Sequence, residues 1–179
     1  MACRDVFGIL ALTLSMFLCS VAKAQNQPLS FKGLTPGVTT QDQLVERLGI
    51  ECKEPRNAVS ECSGSEDGGF YLATFYKGML ASLYFSFEHD MWSSFSEGFR
   101  SKYGKPGYSV TRVYQNRMGA KFTGRVMHWS KGTESLLLTE YADQLDKSCI
   151  LLRDTRLSDI VTKIEEKTQR KSNRALVDE

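Results

Sequence analysis

The sequence predicts an α+β protein: an antiparallel sheet with helices packed on one face, built as one unit or as two helix-plus-sheet units. Three observations lead there. A short, fully punctuated helix lies within GLTPGVTTQDQLVERLG, Gly33 to Gly49. A dense hairpin, FYLATFYKGMLASLYFSF, follows from Phe70 to Phe87. An aromatic stripe at helical spacing comes next, and after it several short apolar strands.

The first helix is specified residue by residue. Pro36-Gly37 suits the centre of a type II turn, where glycine supplies the positive φ. Thr40 is an N-cap, and Gln43 three residues later completes a capping box. Leu44, Val45 and Leu48 fall on one helical face, and Gly49 stops the helix. Cys52 to Gly69, ending SGSEDGG, reads as a polar loop.

Lys77-Gly78 sits where the hairpin needs a tight turn. In its second strand Leu83, Phe85 and Phe87 alternate with Ser82, Tyr84 and Ser86, so one face is buried and one is wetter. Asp90 reads as the cap of a second helix. Trp92, Phe95, Phe99 and Tyr103 make a stripe along it, which reads as core packed on the hairpin. Gly104 and Pro106 end it. Strands follow within Lys121 to Ser130, Ser135 to Tyr141 and Ser148 to Arg153, with a further one over Tyr108 to Tyr114. A last helix starts at Thr155, with Leu157, Ile160, Val161 and Ile164 on one side. Beyond Glu165 the apolar period stops and the basic run KTQRKSNRALVDE is expected to fray.

The chain begins with Arg4 and an apolar run from Val6 to Val21, then Ala22-Lys23-Ala24, an A-x-A processing site. A membrane-spanning helix needs about 20 apolar residues, more than this run provides. Residues 1–24 therefore read as a signal peptide, cleaved between Ala24 and Gln25. Cys19 invites a lipoprotein reading, but Met16-Phe17-Leu18 are too bulky for a lipobox. The expected organisation is one α+β domain over 25–165 and a tail over 166–179. Of the 179 residues, cleavage leaves 155, and losing Arg4, Lys23 and Asp5 takes the net charge from +2 to +1. That balance disfavours nucleic acid, whose binding rests on phosphate neutralisation. No N-x-S/T acceptor is present, which favours a bacterial periplasm.

Three cysteines survive cleavage: Cys52, Cys62 and Cys149. One disulfide is expected in an oxidising compartment. Cys52 with Cys62 closes a short loop. The rival pairs with Cys149 need the late strand beside the early loop. The favoured pair is Cys52–Cys62, which leaves Cys149 as a partly covered thiol sharing a strand face with Leu151 and Arg153. Only His89 and His128 are available for metal or acid–base chemistry, and there is no C-x-x-C, so neither metal nor cofactor is expected. Glu88-His89-Asp90 is an inviting cluster, but neighbours on a strand point to opposite faces. No G-x-S-x-G or phosphate cradle appears. An enzyme is disfavoured.

The first helix also resembles a known family. Gly37, then Thr40-Gln41-Asp42-Gln43-Leu44 and Leu48-Gly49, are similar to the opening helix of the SmpA/OmlA family, whose members carry the BamE-like fold. Thr39 is an extra residue against that pattern, and the lipobox is missing. The resemblance implies a small periplasm-facing protein supporting outer-membrane protein assembly. Two helix-plus-sheet units would look like the tandem β-lactamase-inhibitor proteins. The expected function is thus a secreted periplasmic, non-enzymatic binding or assembly protein with a protein partner. The alternative is an inhibitor or immunity-type protein that blocks a single enzyme. Neither nucleic acid nor a membrane anchor is expected after cleavage.

Overall fold

Two-residue turns set the architecture of the first half. Asp67 and Gly68 have φ of 52° and 74°, and Lys77 and Gly78 have φ of 50° and 77°. Paired positive φ values make type I′ turns, whose twist matches that of the strands they join. They connect β2 (Val59–Glu66), β3 (Gly69–Tyr76) and β4 (Met79–Glu88). The structure, a computed structural model, describes residues 27–115, 118–142 and 145–177, except the side chains of residue 172 and of residues 174–177. The signal peptide and its cleavage point at Ala24 and Gln25 lie outside the described residues.

The first helix, α1 (Gln41–Leu48), forms as its punctuation dictates. Thr40 and Gln43 exchange side chain-to-backbone bonds in a capping box, and Gly49 adopts the left-handed conformation at the C-terminus. The Thr35–Val38 turn has Gly37 at φ 73° and closes through Val38 N–H to the Thr35 carbonyl at 3.2 Å. Leu44 and Leu48 are buried, whereas Val45 is 39% exposed and leaves the expected face.

The segment after α1 departs from the expected loop. Glu51–Cys52 forms β1, and Val59 to Glu66 pairs with β3 over all eight of its residues. Serines, glycine and glutamate disguise this strand, because its neighbours on both sides supply the hydrogen bonds that its side chains do not advertise.

A short 3-10 turn, His89–Met91, runs straight into α2 (Trp92–Tyr103). Asp90 lies within that turn, and the helix starts at Met91 without a side-chain cap, so the expected Asp90 cap does not form. Then come β5 (Tyr108–Gln115), β6 (Lys121–Lys131), β7 (Glu134–Thr139) and β8 (Lys147–Asp154), and last α3 (Thr155–Val177).

All eight strands form one antiparallel sheet in the order β1-β2-β3-β4-β8-β7-β6-β5. The order is symmetric about its centre. Each half is a helix followed by four strands, and the last strands of the two halves, β4 and β8, meet at the seam.

One face of the sheet carries the core. Tyr71, Phe75, Phe85 and Phe87 from the first half meet Met127, Trp129, Leu136, Leu138, Ile150 and Leu152 from the second. Leu44 and Leu48 of α1, and Trp92 and Phe99 of α2, close this face. The aromatic stripe is therefore packing. Phe95 lies 4.4 Å from Phe87, and Phe99 lies 5.9 Å from Trp129.

The mixed α+β class holds, but three helices on one face does not describe the sheet. No described side chain of α3 belongs to the core cluster. Asp154 caps α3 by accepting Leu157 N–H at 2.9 Å, which turns the chain out of the sheet at the end of β8. Ser158 then donates to the Ala81 carbonyl, and further along Asn57 donates to Thr168. Ile164 and Thr168 share a cleft with Val59 and Glu61, which alternate with the core-facing Cys62. Hence α3 crosses the strand ends on the side away from the core, because α1 already occupies the other side there. Its backbone stays helical to Val177, beyond Glu165 where the apolar spacing gives out.

Candidate functional site

Strand alternation gives the sheet a second face, and direct register partners share it. One row crosses all eight strands on that face: Tyr108, His128, Leu137, Leu151, Tyr84, Leu72, Ser63 and Glu51. A parallel row holds Val110, Val126, Thr139, Cys149, Ser86 and Phe70. Seven gaps of about 4.8 Å make the face about 34 Å wide. Tyr108 is 53% exposed, Phe70 43% and Leu72 37%, so its rim is apolar and open. Leu137 and Leu151 are half-buried between them.

Over β5–β8 the face sinks into a hollow of about 280 Å³ lined by Tyr108, Arg112, His128, Leu137, Leu151 and Arg153, among others. His128 Nε2 and Ser135 Oγ hydrogen-bond at 2.9 Å, which fixes the ring against the floor. A larger cleft of about 590 Å³ lies between α3 and the β1–β2 segment. Its charges are of both signs, and Lys53 and Glu61 pair across it at 3.1 Å.

The sequence-derived candidates fall in separate places. Cys52 and Cys62 face each other directly on β1 and β2 and form the disulfide, with Cα atoms 3.9 Å apart. Cys149 lies outside that bridge on β8, half-buried on the second face with Leu151 and Arg153. Glu88, His89 and Asp90 do not converge. Glu88 pairs with Lys147, while His89 Nδ1 lies 3.2 Å from the Glu140 carbonyl and its ring stacks on Tyr141 at 4.7 Å. His128 is on the second face, on β6 opposite Leu137.

The second face itself is not foreseen from the sequence, although a signal is present. Leu136-Leu137-Leu138 and Cys149-Ile150-Leu151-Leu152 are apolar at successive positions, whereas a strand wetted on one side alternates. One phase fills the core, and the other lines the open face.

No family model matches this chain, and no curated protein matches it. A solved structure of a cysteine-rich secretory protein from Staphylococcus aureus subsp. aureus Mu50 is similar, at 9% identity and a TM-score of 0.43. The likeness covers 75% of this chain, which spans about half of that one, at 48%. So distant a likeness carries neither fold nor activity to this chain. The resemblance to the SmpA/OmlA family does not hold, since no family model supports it. Six of the eight matched residues have a local duty that explains them. Gly37 serves a turn, Thr40 and Gln43 a capping box, Leu44 and Leu48 the core, and Gly49 a helix stop.

The disulfide belongs with chains that fold in oxidising surroundings. Among the described residues, no helix is long and apolar enough to cross a membrane.

Proposed function

We propose that the chain is an extracytoplasmic, non-enzymatic binding protein that docks a protein partner on the open face of its sheet. The observation that carries this reading is the unbroken row from Tyr108 through Leu137, Leu151 and Tyr84 to Leu72. A monomer gains nothing by holding apolar and aromatic side chains in register across an exposed sheet, and such a patch marks an interaction surface. Its width of about 34 Å accommodates a standard interface, which buries about 800 Å² on each partner. A periplasmic address fits the Cys52–Cys62 staple and the signal-like N-terminus.

Site-specific photo-cross-linking in cells tests the reading. A photoreactive residue at Leu72 or Tyr108 should give discrete adducts, and one at Glu97, exposed on α2, should not. Equal adducts from all three positions, or none from the sheet face, sink it. The identity of the adduct separates two roles. A single hydrolase means an inhibitor or immunity-type protein, and several envelope components mean an assembly factor.

A further inference from the structure

The charges on the open face are arranged for one kind of partner. The β5–β8 hollow is lined by Arg112, Arg153, His128 and Tyr108, and among the described residues by no aspartate or glutamate. Both arginines are exposed, and neither forms an ion pair among the described residues. Nearby on this face, Glu88 and Lys147 neutralise each other, so the two guanidinium groups remain uncompensated there.

Their placement is as informative as their sign. Arg153 pairs with Ser135, one row to one side of the Tyr108–His128–Leu137–Leu151 row. Arg112 lies two rows to the other side, opposite Gly124. The two Cα positions are thus three rows apart along the strands, about 20 Å, and both side chains turn into the same hollow. Between them lies an apolar floor of Val126, Leu137 and Leu151. One compact anion uses neither that separation nor that floor. An extended segment with carboxylates flanking an apolar residue uses both, with each planar guanidinium free to take a carboxylate in a two-pronged bond.

We infer that the β5–β8 half of the open face recognises an acidic segment of a partner protein, with carboxylates on Arg112 and Arg153 and an aliphatic side chain on Leu137 and Leu151. This rests on the proposed binding role of the face and names the chemistry of the partner.

The test selects peptides from a random display library on the purified, disulfide-bonded protein and maps the winners by amide chemical shifts. Enriched peptides should carry paired Asp or Glu around an aliphatic residue and perturb β5–β8. Their affinity should fall at least about tenfold in the Arg112→Gln/Arg153→Gln variant, and it should weaken with salt. Glu97→Gln, exposed on α2 and away from the sheet face, should leave it within about twofold. Neutral or basic winners that still map to the sheet face overturn the acidic partner and leave the binding role standing. Winners that map elsewhere overturn both. Inorganic phosphate or a single-stranded oligonucleotide displacing the peptide with equal avidity also overturns the inference, in favour of a general anion site.

Discussion

The rings of Phe87 and Phe95 lie 4.4 Å apart at a tilt of 53°, and Phe85 meets Phe95 edge-on at 6.1 Å, so α2 seals the far end of β4 through these ring contacts. Phe87 is 1% exposed, while Phe95 is half-buried at the margin of the core. Truncation should therefore cost unequally. Phe87→Ala is expected to lose about 3–5 kcal/mol, and Phe95→Ala about 1–3 kcal/mol, because only the first leaves an enclosed cavity. Urea denaturation of both variants measures the difference. A Phe95→Ala variant as stable as the parent shows that α2 is held by Trp92 and Phe99 alone.

The Cys52–Cys62 staple closes a short loop, with ten residues of separation. Replacing both cysteines by serine should cost about 2.8 kcal/mol by the chain-entropy relation. The doubly substituted protein should then respond to no reductant, while the parent falls to the same stability in dithiothreitol. A further loss in the variant on adding reductant shows that Cys149 is bridged to a second molecule.

Two glycine-to-alanine changes should act in opposite directions. A Cβ at Gly69 meets two ring carbons of Phe85 at 2.0 and 2.4 Å and the Ser86 carbonyl at 2.7 Å. Backbone and a buried ring cannot both retreat, so Gly69→Ala should destabilise by about 3 kcal/mol or more. Gly98 is exposed in α2 with nothing within 4 Å, so Gly98→Ala should stabilise by about 0.5–1 kcal/mol. Thermal melts of the pair check both signs. A Gly69→Ala melt at or above the parent's refutes the close approach, and a Gly98→Ala melt below the parent's refutes the helix-propensity gain.

Tyr71 gives the protein a pH dependence at the alkaline end. Burial pushes its phenol above the ordinary tyrosine value, and the nearby Lys32 ammonium only partly opposes this. The folded chain therefore keeps a proton that the unfolded chain releases. That contribution is intact below about pH 10 and is lost as pH rises through the raised value. The Tyr71 hydroxyl is buried and has no hydrogen-bond partner of normal geometry among the described residues. Tyr71→Phe should thus leave stability at pH 8 unchanged or slightly improved. It should also flatten the decline above about pH 10. Urea titrations at these pH values decide, and an equally steep decline in the variant refutes the assignment.

Features that rest on neighbours in the chain are legible in the sequence itself. Thr40, Gln43 and Gly49 determine α1 through contacts within a few residues, and Lys77-Gly78 does the same for the β3–β4 turn. The Cys52–Cys62 pair is accessible for the same reason. Asp67-Gly68 carries an equally strong turn signal, but the small polar residues of β2 conceal the strand before it. Asp90 has the chemistry of a helix cap, but the 3-10 turn carries the chain into α2 without one. The open face is not legible, because Tyr108, Leu137, Tyr84 and Leu72 become neighbours only through pairing of distant strands. The route of α3 likewise depends on which side of the strand ends α1 has taken.

The symmetric strand order also governs how the chain reaches this state. Within each half, every strand pairs with the next one in sequence, so both halves can zip from their own hairpins within microseconds. The β4–β8 seam alone joins strands that are distant in the chain, and loop-closure entropy weighs most heavily there. Until Phe85 meets Ile150 across it, each half presents an unpaired edge with free amides and carbonyls. The protein's refolding rate, and its hazard of pairing with another chain instead of itself, therefore rest on one joint in the middle of the sheet.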